Sequence, residues 1–388
     1  MSVEHFISKR VKAVPASGIR RFFDIAAQNK NVISLAIGEP DFVTPKPFID
    51  AAMASLDRGE TGYTSNSGTL VLRTAISRKL EKMYGVSYDP ETEIVITVGV
   101  SEGMNAAAVA LCDPGDEVIV PQPCFVAYTA AIDLAGGRAV TVQTHKDDGF
   151  QIDGPRLEQH VTARTKAVLV GYPNNPTGGV NSAENMRSIA EMATRRNLLV
   201  WSDEVYDRLI YGTQHVCFAA QPGMRDRTIL FGGFSKNYAM TGWRLGYVCG
   251  HADLIGAVRK VHQYIIMSAP TMAQAAGLAA IQEGDSYVAQ MVAEYDRRRI
   301  MLVRELNNMG LDCFEPKGAF YAFPNVEKSG MDGDTFANTL LEEEEVALVP
   351  GSAFGPSGKN HIRIAYAQSY ANIERALEKM QRFMRRHG

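Results

Sequence analysis

Lys236 sits in the segment FGGFSKNYAMTGWRLG at 231–246, directly after a β-like run and a Gly-Gly turn. A lysine there, among apolar neighbours, is a candidate for a desolvated amine whose lowered pKa suits a nucleophile or proton shuttle. Most lysines are solvated surface cations, so this segment alone leaves both readings open. Ser235 stands beside it, and Arg244 follows eight residues on.

Three further segments carry compatible chemistry. GYPNNPTGG at 171–179 follows a predicted strand; turn chemistry accounts for its composition, and its paired asparagines also suit ligand recognition at a sheet's carboxyl end. WSDEVYDRL at 201–209 places Asp203 and Tyr206 just past a strand end. The Asp203 carboxylate either caps a helix or salt-bridges the pyridine nitrogen of a cofactor, with Tyr206 then hydrogen-bonding a phenolic oxygen. TVGVSEGMNAA at 97–107 runs from strand to helix and offers free backbone N–H groups to a phosphate.

Other signatures fail. GPSGKN at 355–360 lacks P-loop spacing, no GxGxxG follows a strand, there is no HExxH, and the eight histidines do not cluster at ligand spacing. These absences argue against a metal or dinucleotide enzyme.

A scaffold must bring these segments together, and the residue pattern predicts one. From about residue 90, short β-branched runs alternate with helical stretches. Strands are expected at 94–98, 117–120, 166–170, 198–202, 228–231 and 245–249, with helices at 103–111 and 183–195. Such interleaving implies an α/β fold with a largely parallel sheet covered on both faces, and the last two strands lie close enough in sequence to pair. Beyond about 252, helices at 253–266, 272–282, 286–308, 335–344 and 371–386 surround short strands at 319–324, 346–349 and 361–365. That texture suggests a second, smaller α+β domain, which the SLAIGEPDF segment in the first 45 residues completes.

Composition fits an ordinary globular enzyme, with 46% hydrophobic and 21% charged residues among 388. Forty Lys and Arg against 43 Asp and Glu give a net charge of −3, without the basic excess of a nucleic-acid binder. The five cysteines are scattered and never spaced as CxxC, which argues for a reducing compartment. No apolar run reaches the ~18 residues of a membrane span, and the N-terminus lacks a signal-peptide pattern. A soluble cytoplasmic protein is the expectation. The Glu run at 342–345 reads as a solvated helix end.

SLAIGEPDF, NNPTG, DEVY, SKNYAMTGWRLG and the late arginine of HIRIAYA at 361–367, in that order and spacing, resemble the class I/II aminotransferases. These are fold-type I enzymes that use pyridoxal 5′-phosphate (PLP). The resemblance spans nearly the whole chain, and the conjunction of pieces is specific where each alone is weak. PASGIRRFFDIAA and IGEPDF make the chain most similar to the prokaryotic aromatic and aspartate aminotransferases. The resemblance implies a large PLP-binding domain at 46–280, its mostly parallel sheet sandwiched by helices, and a smaller α+β domain of 1–45 with 281–388.

The resemblance also implies residue roles. Lys236 forms the Schiff base with PLP and, once displaced by the amino substrate, shuttles the proton between substrate and cofactor. Asp203 keeps the pyridine nitrogen protonated, Tyr206 donates to the ring oxygen, Asn175 orients the ring, and Phe125 stacks on it. Many relatives carry Tyr or Trp at the Phe125 position. The phosphate meets Ser101, Glu102 and Gly103 at a helix start, together with Ser235 and Arg244. Tyr63 reaches the phosphate of the partner subunit, which implies a homodimer with shared active sites. Arg363 clamps the substrate α-carboxylate, helped by the Gly38 backbone and Asn175.

The leading expectation is transamination in two half-reactions, with an amino acid as donor and 2-oxoglutarate as acceptor. A PLP lyase, such as a carbon–sulfur lyase, shares these residues and needs no 2-oxo acid. A non-enzymatic regulatory relative is a third class, and no DNA-binding module is appended. The donor stays open. QYIIMSAPTM at 263–272, where some relatives place an arginine for a distal carboxylate, has none, and Ser101 stands where others carry lysine. Phe125, Tyr128, Ile19 and Phe22 suggest a neutral or aromatic side chain, whereas Arg20 or Arg21 entering the pocket would favour aspartate.

Overall fold

The computed structural model describes residues 3–15, 18 and 31–388, so Ile19, Arg20, Arg21 and Phe22 lie outside the described residues. In chain order the first strands are β1 (Ile33–Ser34), β2 (Ile94–Thr97), β3 (Glu117–Gln122), β4 (Arg138–Gln143), β5 (Thr165–Gly171) and β6 (Leu199–Asp203). They are followed by β7 (Thr228–Gly233), β8 (Gly246–Cys249), β9 (Tyr321–Ala322), β10 (Val346–Ala347), β11 (Val349–Pro350) and β12 (Ile362–Ala365).

Seven strands form one mixed sheet in the order β2-β8-β7-β6-β5-β3-β4. The five from β7 to β4 run parallel. β8 lies antiparallel to both β2 and β7, and its pairing with β7 is the one expected from proximity in sequence. The central strands are short apolar runs buried on both faces, as a sheet covered on each side requires. The covering helices follow from period: Ala183–Arg195 turns Met186, Ile189, Ala190, Met192 and Ala193 inward, and the Ser182 hydroxyl accepts from the Asn185 N–H at its start.

Two smaller sheets carry the ends of the chain. β1 pairs in parallel with β10, and β12 lies antiparallel between β11 and β9. The single strand expected at 346–349 is in fact two, because the chain leaves one sheet for the other at the fully buried Leu348. Residue 280 falls within the helix Thr271–Glu283, and Gly284 separates that helix from the long Asp285–Asn308. Among the described residues, no helix is long and apolar enough to cross a membrane. All five cysteines are free and buried.

Antiparallel β8 decides where the site forms. The carboxyl ends of β3, β5, β6 and β7 share one edge of the sheet, and β8 begins at that edge. Residues just after the parallel strands and just before β8 therefore converge there, the usual crevice for ligands in open α/β sheets.

Candidate active site

A cavity of about 280 Å³ opens at that edge. Asp203 ends β6, Lys236 follows β7, the Asn174–Gly178 turn follows β5, and Phe125 follows β3. Gly38 and Glu39 arrive from the N-terminal segment and Arg363 from β12; with Ser101, Tyr206, Ser235 and Arg244 they line the same cavity. The expected residues thus come together, with three exceptions. The side chain of Glu102 turns away from the cavity: its carboxylate accepts from the Val98 N–H at 3.1 Å and meets Nδ1 of buried His262 at 3.0 Å. Gly103 seats the helix on β8, since a Cβ there would stand 2.6 Å from the Val248 side chain. Tyr63 is 85% exposed and is not on the wall of this chain's cavity.

The helix expected from residue 103 begins earlier, at Gly99 (Gly99–Leu111). Gly99 takes φ +76°, a conformation open to glycine, and the chain turns straight from β2 into the helix. Val98 offers no side-chain cap, so first-turn N–H groups are left for an anion. A Cβ on Gly99 would stand 2.7 Å from the Arg244 guanidinium, so the bare glycine lets that cation lie against the helix start. Arg244 is exposed toward the cavity and donates Nη1 to the Thr241 carbonyl at 3.1 Å.

Asp203 is buried and doubly held. Oδ1 accepts from the Val205 N–H at 3.1 Å and Oδ2 from the Tyr128 hydroxyl at 2.6 Å. Burial pushes its pKa up to about 6, while those two bonds pull it back. No helix directly follows Asp203 among the described residues, so the helix cap open from sequence is absent; one oxygen closes a turn and the carboxylate still lines the cavity. Tyr128, read from sequence as an apolar wall, is a polar partner of Asp203. An aromatic residue inside a helical stretch gives no sign of that hydroxyl contact.

Lys236 donates Nζ to the Gly38 carbonyl at 2.6 Å and lies 5.8 Å from the Phe320 ring. Burial brings its pKa down to about 8, against the pull of Glu39, with Arg363 and Arg244 adding to the depression. The amine therefore becomes free base as pH rises through about 8, well below the 10.5 of a solvated lysine. Cofactor-free protein treated with trinitrobenzenesulfonate should label Lys236 at a rate that climbs through that pH, as read by peptide mapping. A rate that climbs only near 10.5 would show a solvated amine.

Arg363 is 2% exposed. Nη1 donates to Asn175 Oδ1 at 3.0 Å and Nη2 to the Ala36 carbonyl, while its buried Nε has no partner. Tyr206 places its hydroxyl 2.9 Å from that of Tyr321, a cavity residue that sequence reading missed. Within AFYAF, an aromatic run in a short strand, Tyr321 reads as core.

This donor set fits PLP. Uncapped amides with Ser235 and Arg244 suit a phosphate, Asp203 suits a ring cation, and the orphan Nε of Arg363 suits a carboxylate.

The description aminotransferase class I and II matches residues 30–380. The aspartate aminotransferase of Pyrococcus abyssi is 42% identical over 382 residues, covering 98% of each chain. Aromatic-amino-acid aminotransferase 2 of Thermococcus litoralis is 38% identical over 382 residues, again covering 98% of each. The solved structure of the Thermus thermophilus aspartate aminotransferase with maleate matches with a TM-score of 0.92 at 36% identity, covering 97% of this chain and 99% of that one.

Proposed function

The chain belongs to the class I and II aminotransferases, and on that footing we propose that it passes the α-amino group of an aromatic or other neutral amino acid to 2-oxoglutarate. It is an aminotransferase of fold type I, a family whose members depend on PLP and use amino acids and 2-oxo acids. Further parts of the proposal are PLP at Lys236, a homodimer in which Tyr63 completes the partner's site, and a cytoplasmic location. The observation that carries the reading is the convergence of Lys236, Asp203, Arg244 and Arg363 on one cavity.

Bound there, PLP supplies an electron sink for the charge left when a proton leaves the substrate Cα. The chain does the rest. Ser235, Arg244 and the amides from Gly99 hold the phosphate. Asp203 sets a carboxylate against the ring nitrogen, Tyr206 directs a hydroxyl to the ring oxygen, and Phe125 offers its ring face. Arg363 and Asn175 hold the substrate carboxylate, and the Lys236 amine takes and returns the proton.

Charge supports the neutral-donor reading. Arg244 and Arg363 are the two arginines on the cavity wall among the described residues, and both have roles; Glu39 adds a negative charge. Among the described residues a distal carboxylate thus finds no cation to offset its desolvation. Phe125 instead provides apolar surface, with the ring of Tyr128 beside it while the Tyr128 hydroxyl is taken by Asp203. Burying an aromatic side chain should raise kcat/KM over alanine by roughly 10- to 150-fold. The test is kcat/KM for phenylalanine, tyrosine, aspartate and alanine with saturating 2-oxoglutarate, plus a control lacking any 2-oxo acid, in which no sustained turnover is expected. Aspartate exceeding both aromatics a hundredfold would overturn the neutral pocket.

A further inference from the structure

Tyr321 joins two parts of the site. It lies in β9 opposite Ala365 of β12. Strand residues alternate faces, so Arg363, two before Ala365, is on the same face as Tyr321. The guanidinium carbon of Arg363 lies 4.6 Å from the Tyr321 ring centre and 4.9 Å from that of Phe354. Two aromatic faces thus fix a cation that has only carbonyl acceptors for hydrogen bonds, on Asn175 and Ala36.

The Tyr321 hydroxyl meets that of Tyr206 at 2.9 Å. Burial raises the pKa of both phenols, so each keeps its proton. Only one of the two can donate across their shared contact, and the other proton remains for a different acceptor. The fit is tight: a Cβ on Gly38 would stand 2.5 Å from the Tyr321 oxygen, so glycine lets the N-terminal segment pass over it.

We propose that Tyr321 is a positioning residue with two separable functions. Its ring face sets the plane of Arg363 for the substrate carboxylate. Its hydroxyl donates to Tyr206, leaving the Tyr206 proton for the cofactor oxygen. The proposal rests on the roles given above to Arg363 and Tyr206.

Three variants of the PLP-loaded enzyme test it, with 3-phenylpropionate as an unreactive carboxylate probe. Tyr321→Leu removes the ring and should weaken the probe's Kd roughly 5- to 30-fold, raising KM for amino acid and 2-oxo acid more than it lowers kcat. Tyr321→Phe keeps the ring. Its Kd should stay within about twofold, but the pH midpoint of the cofactor's absorbance band should rise by about half a unit or more, because the phenol chain loses a donor. This second readout holds even if the leucine variant fails to fold. Arg363→Gln is the control and should abolish probe binding. If it binds normally, the carboxylate role of Arg363 is wrong. If it fails to bind while Tyr321→Leu binds as wild type, the ring function is overturned. A Phe variant with an unmoved absorbance midpoint overturns the hydroxyl function.

Discussion

Lys236→Ala should lose turnover by about four orders of magnitude or more, since it removes the group assigned both the covalent attachment and the proton transfer. The loss should be one of chemistry and not of folding. Lys236 makes one hydrogen bond, to the Gly38 carbonyl, and keeping its ammonium buried is unfavourable, as its pKa near 8 shows. The variant should still bind PLP, because Ser235, Arg244 and the amides from Gly99 are untouched. Borohydride treatment of the loaded wild type should fix the label on Lys236, and a peptide map of the variant should show no equivalent site. Label on a different lysine of the wild type would sink the assignment.

Asp203→Asn should cost more than the roughly 10²-fold typical of one lost electrostatic donor, with the deficit falling on proton removal from Cα. Asparagine keeps much of the shape: its oxygen can accept from Val205 or Tyr128, and the tyrosine oxygen can accept from the new amide. What goes is the negative charge. A primary kinetic isotope effect with Cα-deuterated substrate should therefore be larger in the variant than in wild type. Turnover near the wild-type level would reduce Asp203 to a cap of its turn.

How far residues could be read from sequence depended on whether their signal was local. Lys236 and Asp203 follow β-branched runs and break them with polar chemistry, and strands β5 to β8 showed as short apolar runs because both faces are buried. The helix Ala183–Arg195 was readable to its ends through its apolar period. β4 went unread, being an edge strand with most side chains partly or fully exposed and little hydrophobic pattern. The helices Lys46–Asp57 and Leu70–Tyr84 also went unread; both pack against Thr271–Glu283, a partner some two hundred residues away in sequence. Arg363 stood out only through the family resemblance, since an arginine in IRIA has no local mark of a ligand role. The hydroxyls of Tyr128 and Tyr321 depend on partners 75 and 115 residues distant, which no sequence window contains.

The stretch 33–38 is bound at five of its six residues. Ile33 and Ser34 pair with β10, the Leu35 carbonyl accepts from Ala365, the Ala36 carbonyl from Arg363, and the Gly38 carbonyl from Lys236. It is a seam with no slack. One inserted residue between Ser34 and Gly38 would strip acceptors from the carboxylate clamp and the reactive amine together, while leaving the seven-stranded sheet untouched. Such a protein should keep its large sheet and lose its activity, melting somewhat earlier because buried Leu35 and Ala36 would leave their places in the core. An inserted residue should instead be tolerated at turns away from the seam, such as those at Gly59 and Gly212, where a Cβ would meet open space.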